Sequence, residues 1–299
     1  MRSISRRIPV SWGPEVGLGA VMHHTDQGTK FALFKQLHER PGAFVIPNPW
    51  DAGTARILTS LGFEALATTS AGFAFSIGRR DSAAGLTREE VLGNARSIVQ
   101  ATHLPVSADL EDGFGSDPEA CATTVIAAAD IGLVGGTIED VTGDPSQPIF
   151  EFNHAVERVV AASEAARTLP FLLTARAENF LWGRPDLDDT IRRLQAFSKA
   201  GAQVLYAPGL PNIEAIRTVC AAVDKPVNVV MGLKGASYTV EALQNAGVKR
   251  ISVGGSFARA ALGAFVRAAR EVKDHGTFTY SADAIPDAEA SAYMSASKR

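Results

Sequence analysis

The sequence predicts an α/β protein of the (β/α)₈, or TIM-barrel, class. Short apolar runs alternate with amphipathic stretches of roughly 10–18 residues, which is the pattern of parallel βαβ units. Eight such units follow one another, and together they span about 250 residues, the usual size of one barrel. An open doubly wound sheet is the alternative, but eight right-handed crossovers that stack in one direction favour closure.

The eight predicted strands are short apolar runs, and a helical pattern follows each of them. The strands are expected at residues 43–47, 65–68, 104–109, 134–139, 171–176, 203–207, 227–230 and 250–253. The helices are expected near residues 51–61, 87–101, 118–131, 151–168, 187–200, 212–223, 238–246 and 256–274.

Helix ends carry their own signals. Asp51, Thr87 and Asp117 have the residue types of N-caps, and proline follows Asp117 at the first helical position. Glycines that follow a helix and precede a strand are typical of helix C-termini, and they occur at Gly62, Gly132, Gly201 and Gly247. These short turns belong to the N-terminal face of a barrel. The longer loops that follow the strands lie at the C-terminal rim, where functional residues are expected.

The chain divides into one catalytic domain and two terminal segments. Residues 1–30 are expected to be a flexible leader, residues 31–275 the barrel, and residues 276–299 a C-terminal extension. The basic start lacks the apolar segment and the cleavage site of a signal peptide. An apolar content of 46% is sufficient for a large core.

Charge and cysteine content exclude several classes of partner. A net charge of −3 disfavours nucleic acid and anionic membranes, and no run of eighteen apolar residues could span a bilayer. The two cysteines, Cys121 and Cys220, fall inside predicted helices without a metal-type spacing. We therefore expect a reduced, cytoplasmic protein that acts on a small molecule.

Acidic residues and one arginine end three consecutive strands. Asp109 and Glu111 end the third strand, Glu139 ends the fourth, and Arg176 ends the fifth. The carboxyl ends of neighbouring barrel strands meet at one rim, so these side chains should form one cluster. Carboxylate oxygens are the ligands that hard divalent cations prefer. The alternatives are a solvated acidic loop, a helix cap at Glu139, and an ion pair of Arg176 with Glu139 or Glu178; the last can coexist with a functional role.

Further candidate residues lie in the loops after other strands. Ser70, Ala71 and Gly72 could bind a carboxylate through a hydroxyl and clustered N–H groups, although such a segment can also be only a turn. Asp81 could touch a substrate or a metal's water shell, or pair with a neighbouring arginine. Asn228 and Trp50 could also line the pocket. For Trp50 the alternative is simple packing.

These segments together resemble the isocitrate lyase/phosphoenolpyruvate mutase superfamily over about residues 30–270. The resemblance lies in PNPWDAGTARIL, ALATTSAGFA, GRRD, PVSADLEDGFG, GTIED, LTARAE and ISVGGSFARAALG. It implies a Mg²⁺-dependent barrel, with Mn²⁺ as a possible substitute, that assembles as a homodimer or homotetramer and exchanges its last helix with a neighbour.

The resemblance also implies residue roles. Asp109, Glu111 and Glu139 would hold the metal, and the segment from Ser70 through Ala71 to Gly72 would bind a substrate carboxylate. Arg176 would hold the substrate and offset developing charge, with Asp81 near the reacting centre. The shared chemistry forms an enolpyruvate-like oxyanion by breaking a C–C or P–C bond.

One segment departs from the superfamily. After Glu139 the chain reads EDVTGDPSQPIFEF, without the KKCGH segment of the lyases, whose cysteine supplies a proton, and without the gating loop of the mutases and hydrolases. Ala177 replaces the usual threonine. A faithful isocitrate or methylisocitrate lyase is therefore disfavoured. We predict a Mg²⁺-dependent lyase that cleaves a C–C bond of a small 2-oxo or 2-hydroxy carboxylate. The alternatives are a P–C bond enzyme (phosphonopyruvate hydrolase or carboxyphosphonoenolpyruvate phosphonomutase-like) and a non-catalytic 2-oxoacid-binding protein.

Overall fold

Eight parallel strands form a nearly closed barrel, which confirms the predicted fold class. The computed structural model describes residues 19–81, 85–233 and 235–295, with side chains from residue 27 onward. The strands are β1 Phe44–Ile46, β2 Leu66–Ala67, β3 Val106–Asp109, β4 Gly135–Glu139, β5 Leu172–Arg176, β6 Val204–Tyr206, β7 Val227–Val230 and β8 Arg250–Ser252.

Helices surround the barrel and extend it at both ends of the chain. They are α1 Gly19–Glu39, α2 Ala52–Ser60, α3 Ser70–Ser76, α4 Arg88–Ala101, α5 Pro118–Asp130, α6 Phe152–Ala166, α7 Leu187–Lys199, α8 Ile213–Ala222, α9 Val240–Asn245, α10 Ser256–His275 and α11 Asp287–Met294. Each predicted strand and each predicted helix has its counterpart here.

The sheet runs in the order β1-β8-β7-β6-β5-β4-β3-β2, so each strand lies beside its sequence neighbours. Strands β1 and β8 pair directly. Between β1 and β2 the backbone N–H of Ala67 donates to the carbonyl of Pro47 at 3.0 Å, and this contact closes the circle. Closure places the carboxyl ends of all eight strands around one rim.

The predicted helix signals are largely confirmed. Asp51 and Thr87 each form a capping box with the residue three positions later. Asp117 makes no side-chain cap bond, although Pro118 begins the helix as expected. The four glycines predicted at helix C-termini all adopt positive φ angles, which glycine reaches without strain: Gly62, Gly132, Gly201 and Gly247.

The N-terminal segment requires a correction. Helix α1 begins at Gly19, so the second part of the segment expected to be a flexible leader up to residue 30 is helical. The side-chain amide of Gln27 donates to the carbonyls of Ala129 and Leu133 at 2.7 and 2.9 Å, and Phe34 is fully buried. These contacts join α1 to the barrel. Residues 1–18 lie outside the described residues.

The C-terminal segment 276–299 returns to the barrel as far as it is described. After α10 a 3₁₀ turn over Thr279–Ala282 leads into α11. A guanidinium nitrogen of Arg56, on α2, donates to the carbonyl of Met294. The domain limits at 31 and 275 remain a prediction. No helix in the described ranges combines the length and apolarity that a membrane crossing needs.

Candidate active site

A cavity of about 300 Å³ opens at the rim where the strands end. Its described lining combines six carboxylates, two arginines and an apolar wall. The carboxylates belong to Asp81, Asp109, Glu111, Asp112, Glu139 and Glu178, and the arginines are Arg176 and Arg259. The larger apolar side chains are Phe75, Val141, Leu181, Trp182, Val230 and Leu233. The rim is therefore strongly acidic, as the strand ends predicted.

Arg176 lies at the centre of the acidic residues. One of its Nη atoms contacts a carboxylate oxygen of Glu139, and the same atom lies 3.4 Å from an oxygen of Asp109. Its guanidinium also pairs with Glu178 at 2.7 Å and lies 4.7 Å from the ring centre of Tyr206. The structural ion pair proposed for Arg176 is thus present, inside the cavity where a substrate would bind.

Strand register explains why these groups meet. Glu139 is the register partner of Arg176 across β4 and β5, and Asp109 is the partner of Thr137 across β3 and β4. Parallel neighbours bring the residue that ends one strand beside the residue that ends the next. The sequence prediction that Asp109, Glu139 and Arg176 come together is realised by this register.

Glu111 reaches the cavity through an unusual backbone conformation. Its φ of 48° lies in the left-handed region, which residues other than glycine seldom adopt. Its carbonyl accepts the N–H of Glu139 at 2.9 Å, which ties the loop after β3 to the end of β4. The turn also directs the next residue, Asp112, toward the same cavity.

Burial and mutual repulsion make these carboxylates reluctant to ionise. Burial, followed by the charges of Asp109 and Asp112, raises the pKa of Glu111 to about 8. Burial raises the pKa of Glu139 and that of Glu178 above their ordinary values, although Arg176 opposes both shifts. A bound cation would lower these pKa values, since it favours the ionised form.

The donor chemistry fits Mg²⁺, but the carboxylates are not gathered around a metal position. No three His, Cys, Asp or Glu side chains of the described ranges stand close enough together to hold an ion. Arg176 occupies the space between Glu139 and Asp109, which accounts for this arrangement. The possible ligands in this cavity are carboxylate oxygens, and they carry more negative charge than the arginines neutralise. Hard divalent cations such as Mg²⁺ prefer ligands of this kind.

The segment predicted to bind a carboxylate begins helix α3, which the sequence did not indicate. The hydroxyl and the N–H of Ser70 donate to one oxygen of Asp109 at 2.8 and 3.2 Å, so they bind a carboxylate of the protein itself. Ser70 and Ala71 line the cavity.

Gly72 does not line the cavity, which corrects its predicted role. Its N–H is capped by Thr69, and a Cβ there would meet Thr69, Trp50 and Ala258 within 3.2 Å. Gly72 is therefore needed for the close approach of α3 to its neighbours. Trp50 packs on this glycine and likewise does not line the cavity, so the packing alternative holds for it.

Asn228 lies deeper than predicted. It is 1% exposed inside the barrel, where its amide donates to Ser252 at 3.1 Å and accepts from Arg250 at 2.8 Å. It lines a smaller interior space of about 60 Å³ that also reaches Asp109 and Arg176. The structure thus places Asn228 below the candidate active site and not in its wall.

Asp81 lines the cavity as predicted and is exposed. Burial of its carboxylate and the charge of Asp109 raise its pKa, and Arg176 opposes the shift. The alternative was a pairing with Arg79 or Arg80; Arg79 binds Glu90 at 2.6 Å, and no ion pair of Asp81 with Arg80 occurs among the described residues. Asp81 is therefore free to face a ligand.

Sequence reasoning missed several cavity residues. Glu178 was considered only as an ion-pair partner, yet it lines the cavity at 1% exposure. Tyr206 ends β6 and could have been found as the polar end of a barrel strand. Arg259 lies in the first turn of α10, where the loop after β8 meets the rim. Trp182 follows β5 and carried no signal of its own.

The loop after Glu139 is folded onto the barrel. Val141 and Ile149 form an antiparallel bridge, and Asp140 is buried against Arg193 at 3.0 Å. Burial raises the pKa of Asp140 to about 7.

Neither cysteine lines the cavity, and burial raises the pKa of both Cys121 and Cys220 to about 11. The structure therefore supplies no thiol in place of the missing lyase cysteine.

Comparisons with known proteins give the family. The sequence pattern of the family described as phosphoenolpyruvate phosphomutase matches residues 34–273. The chain therefore belongs to this family, within the isocitrate lyase/phosphoenolpyruvate mutase superfamily of lyases and mutases.

Three similar proteins illustrate the relationship. A crystal structure described as a lyase/mutase from Burkholderia cenocepacia is 53% identical, with a TM-score of 0.89 over 91% of this chain and 98% of that one. An uncharacterized protein of Mycobacterium tuberculosis is 30% identical over 81% of this chain and 89% of its own length. A 2-methylisocitrate lyase of Halalkalibacterium halodurans is 27% identical over 82% of both chains.

Proposed function

We propose that this member of the phosphoenolpyruvate phosphomutase family is a Mg²⁺-dependent lyase that cleaves a C–C bond of a small 2-oxo or 2-hydroxy carboxylate. The observation that carries the proposal is the contact of Arg176 with Glu139 and Asp109 in a cavity that also contains Glu111. That the chain is an enzyme follows from its family. The choice of C–C cleavage is supported by the likeness to a 2-methylisocitrate lyase.

Asp109, Glu111 and Glu139 are the residues that would hold the metal. Bound there, Mg²⁺ would supply Lewis-acid stabilisation of an oxygen that becomes negative during cleavage. Because Arg176 now neutralises two of these carboxylates, we expect its guanidinium to turn toward the substrate when a cation takes over that role. Mn²⁺, which accepts the same oxygen donors, should substitute.

The other cavity residues would bind and shield the substrate. Arg176 and Arg259 are donors for carboxylate groups, and a guanidinium binds a carboxylate through two parallel N–H groups. Ser70 and Ala71, the first two residues of α3, line the same cavity. The apolar wall that includes Leu181 and Trp182 would exclude water from the reacting carbon.

Cleavage of a 2-hydroxy acid would run as a retro-aldol reaction. The hydroxyl loses its proton, the C2–C3 bond breaks to leave a 2-oxo acid, and the bonding electrons depart on C3 as the enolate of a carboxylate fragment. That enolate then takes up a proton. Asp81, which lines the cavity and is exposed, is placed to exchange a proton with solvent. The cysteines are excluded as the donor by their position.

The family's own description favours a second candidate, cleavage of a P–C bond. A phosphonate substrate would use the same arginines and the same divalent cation. The two reactions release different products, because P–C hydrolysis yields phosphate. The outcome that would contradict an enzyme is a third candidate, 2-oxoacid binding without turnover, and the ion pairs that now occupy the carboxylates would account for it.

A substrate panel with and without Mg²⁺ separates the three. Small 2-oxo and 2-hydroxy di- and tricarboxylates and phosphonopyruvate are incubated with the enzyme, and pyruvate, glyoxylate, succinate, CO₂ and phosphate are measured. Mg²⁺-dependent release of a 2-oxo acid or of CO₂ from a substrate without phosphorus supports C–C cleavage, and release of phosphate together with pyruvate from phosphonopyruvate supports the second candidate. Equal activity in EDTA contradicts the metal's role. Binding of oxalate or 2-oxoglutarate without turnover supports the third candidate.

We also propose that the enzyme is a cytoplasmic homodimer or homotetramer that exchanges α10 between subunits. Of the described residues of α10, only Ala258 is buried. Its exposed apolar side chains include Phe257, Leu262 and Phe265, the last at 69% exposure. A helix with apolar residues beyond its one covered stripe needs a second partner. A monomeric mass by light scattering at micromolar concentration would contradict the exchange.

A further inference from the structure

A fully buried arginine outside the cavity has no acidic partner among the residues that the structure describes. Arg158, on α6, is 1% exposed and is the largest of the fully buried side chains among the described residues. None of the described carboxylates pairs with it, and its Nε is buried without a hydrogen-bond partner. A buried cation is costly unless it is neutralised or well hydrogen-bonded. What Arg158 binds therefore needs an explanation.

All the hydrogen bonds of its guanidinium go to the backbone of one loop. Nη1 donates to the carbonyls of Gly115 and Ser116, each at 2.6 Å, and Nη2 donates to the carbonyl of Asp112. The ring of Phe150 stacks on the other side, with its centre 4.3 Å from the guanidinium carbon. Arg158 thus holds three carbonyls of residues 112–116 at fixed positions.

This loop is the one that carries acidic groups into the cavity. Glu111 and Asp112 line the cavity; the carbonyl of Asp112 is itself one of the three that Arg158 binds, and Glu111 immediately precedes it. Glu111 and Phe114, with φ angles of 48° and 60°, are the two residues other than glycine with left-handed backbone in the described ranges. Such a conformation persists only where the surrounding structure enforces it. Charge-assisted bonds from a buried guanidinium are the strongest restraints available for that purpose.

The other hydrogen bonds of the loop each act at one point. The N–H of Glu139 donates to the carbonyl of Glu111, and the N–H of Gly113 donates to the carbonyl of Leu110, each at 2.9 Å. Thr124 donates to the carbonyl of Gly113 at 2.8 Å, and Phe114 donates its N–H to the side chain of Asp112 at 2.8 Å. A ring nitrogen of His154 lies 2.8 Å from the carbonyl of Ser116. These contacts each fix one point of the loop, whereas Arg158 joins its start and its end.

We propose that Arg158 is a positioning residue that fixes the left-handed turn at Glu111 and so holds the carboxylates of Glu111 and Asp112 in the active site. The proposal rests on the proposed function, since it assigns these carboxylates to a divalent cation and its substrate. Arg158 itself touches neither.

The experiment compares Arg158→Met and Arg158→Lys with the wild type. Arg192→Met is the matched control, because Arg192 also stacks on a phenylalanine, Phe152, but binds the side chain of Asp189 and is exposed. Backbone hydrogen exchange of residues 111–116 measures how firmly the loop is held, and it needs no metal. Calorimetric titration with Mn²⁺ measures the affinity of the carboxylates for a divalent cation, and it needs no turnover. The substrate panel then gives kcat and KM.

Arg158→Met should speed exchange of the loop amides several-fold well below the melting temperature and weaken Mn²⁺ binding about 10–100-fold, with a matching loss of kcat. Arg158→Lys should recover part of both effects, and Arg192→Met should change neither. A lower melting temperature with unchanged loop exchange and unchanged Mn²⁺ affinity would show a merely structural role and overturn the proposal.

The proposal can still be tested if Arg158→Met does not fold or if the wild type binds no Mn²⁺. If Arg158→Met does not fold, Arg158→Lys and Phe150→Leu carry the same comparison, and unchanged loop exchange in both overturns the proposal. If the wild type binds no Mn²⁺, the proposed metal site is refuted, and loop exchange alone decides whether Arg158 fixes the turn.

Discussion

Two arginines of the barrel, Arg176 with a side chain 12% exposed and Arg250 buried, have opposite surroundings. Arg176, at the rim, contacts the carboxylates of Glu139, Glu178 and Asp109. Arg250, at the start of β8, is 3% exposed, and its described hydrogen bonds go to neutral partners. Those partners are Asn228 at 2.8 Å, Thr174 at 3.0 Å and a ring nitrogen of His38 at 3.4 Å.

The pKa shifts of the two guanidinium groups follow these surroundings. Burial would lower the pKa of Arg176, but the adjacent carboxylates, Glu139 first, raise it well above its ordinary value. Burial lowers the pKa of Arg250 to about 10, because only Tyr206 offsets the loss of water. This barrel can therefore bury a guanidinium with neutral acceptors alone. The acids at the rim exceed what Arg176 needs, which supports their assignment to a cation and a substrate.

The largest expected effect is the loss of Asp109. Asp109→Ala removes a proposed metal ligand and the partner of Ser70, so Mg²⁺-dependent turnover should fall by about 10³-fold or more, since stabilisation of the enolate is worth several kcal/mol. Steady-state kinetics in Mg²⁺ and in EDTA measure it. Asn228→Ala, in the lower region, is the control and should retain most of the activity. An active Asp109→Ala enzyme would contradict the assignment of the rim acids.

Replacing each arginine by methionine tests the comparison directly. Arg176→Met should lower kcat/KM by about 10²–10³-fold, because a donor to the developing charge is lost. Arg250→Met removes a cation with neutral partners and should change kcat/KM only a few-fold while it alters the melting temperature. Kinetics and thermal unfolding of both variants decide this. Equal losses of activity would mean that the two regions act as one electrostatic unit.

The pH dependence of stability should have opposite signs in the two regions. The pKa of Glu111 is about 8 in the folded protein against an ordinary 4.5, so between these values the folded state binds the extra proton and stability falls as the pH rises. Burial and then Arg250 lower the pKa of His38 to about 3, so between 3 and 6.5 its contribution to stability rises with pH.

Urea unfolding in EDTA across these two windows measures both contributions. Glu111→Gln should reduce the loss of stability toward pH 8 by the part that belongs to Glu111, since other buried carboxylates also have raised pKa values. His38→Gln should flatten the rise at acid pH. Added Mg²⁺ should offset the loss in the wild type, because it favours ionised Glu111. A Glu111→Gln protein with the wild-type profile would show that the surroundings of Glu111 do not destabilise its ionised form.

The smallest expected effect concerns the outer edge of the rim. Arg259 is exposed, so its bond to a substrate carboxylate would be partly screened by water. Arg259→Gln should raise KM by about tenfold, which corresponds to roughly 1.4 kcal/mol, and leave kcat nearly unchanged. Initial rates over a range of substrate concentrations test this. A fall in kcat with an unchanged KM would place Arg259 in the chemistry instead.

Much of the site could be predicted from the sequence, because residues that end neighbouring parallel strands meet at one rim of a barrel. Asp109, Glu139 and Arg176 end consecutive strands, and parallel pairing brings such residues together. Gly72, Trp50 and Asn228 were misplaced because their neighbours, and not their sequence positions, decide whether they face the cavity. Gly72 is pressed against Trp50, and Asn228 is held by Arg250, which is remote in the sequence.

The local elements that were missed have similar causes. Helix α3 is short and has no amphipathic repeat, and its cap at Thr69 gives little signal alone. Helix α1 was not predicted at all, and the contacts that hold it on the barrel are remote in the sequence: Gln27 donates to carbonyls more than one hundred residues away. Such contacts cannot be read from local composition.

The order of strands and helices, the closure into a barrel and the acidic rim were determined by the sequence itself, since hydrophobic periodicity and strand ends are local properties. Tertiary structure alone decided that Arg158 donates to the carbonyls of the loop after β3 and that Arg250 is buried without an acid. Each of these depends on which groups are desolvated together. Desolvation is set by packing between distant segments, and so is the charge state of every group at the rim.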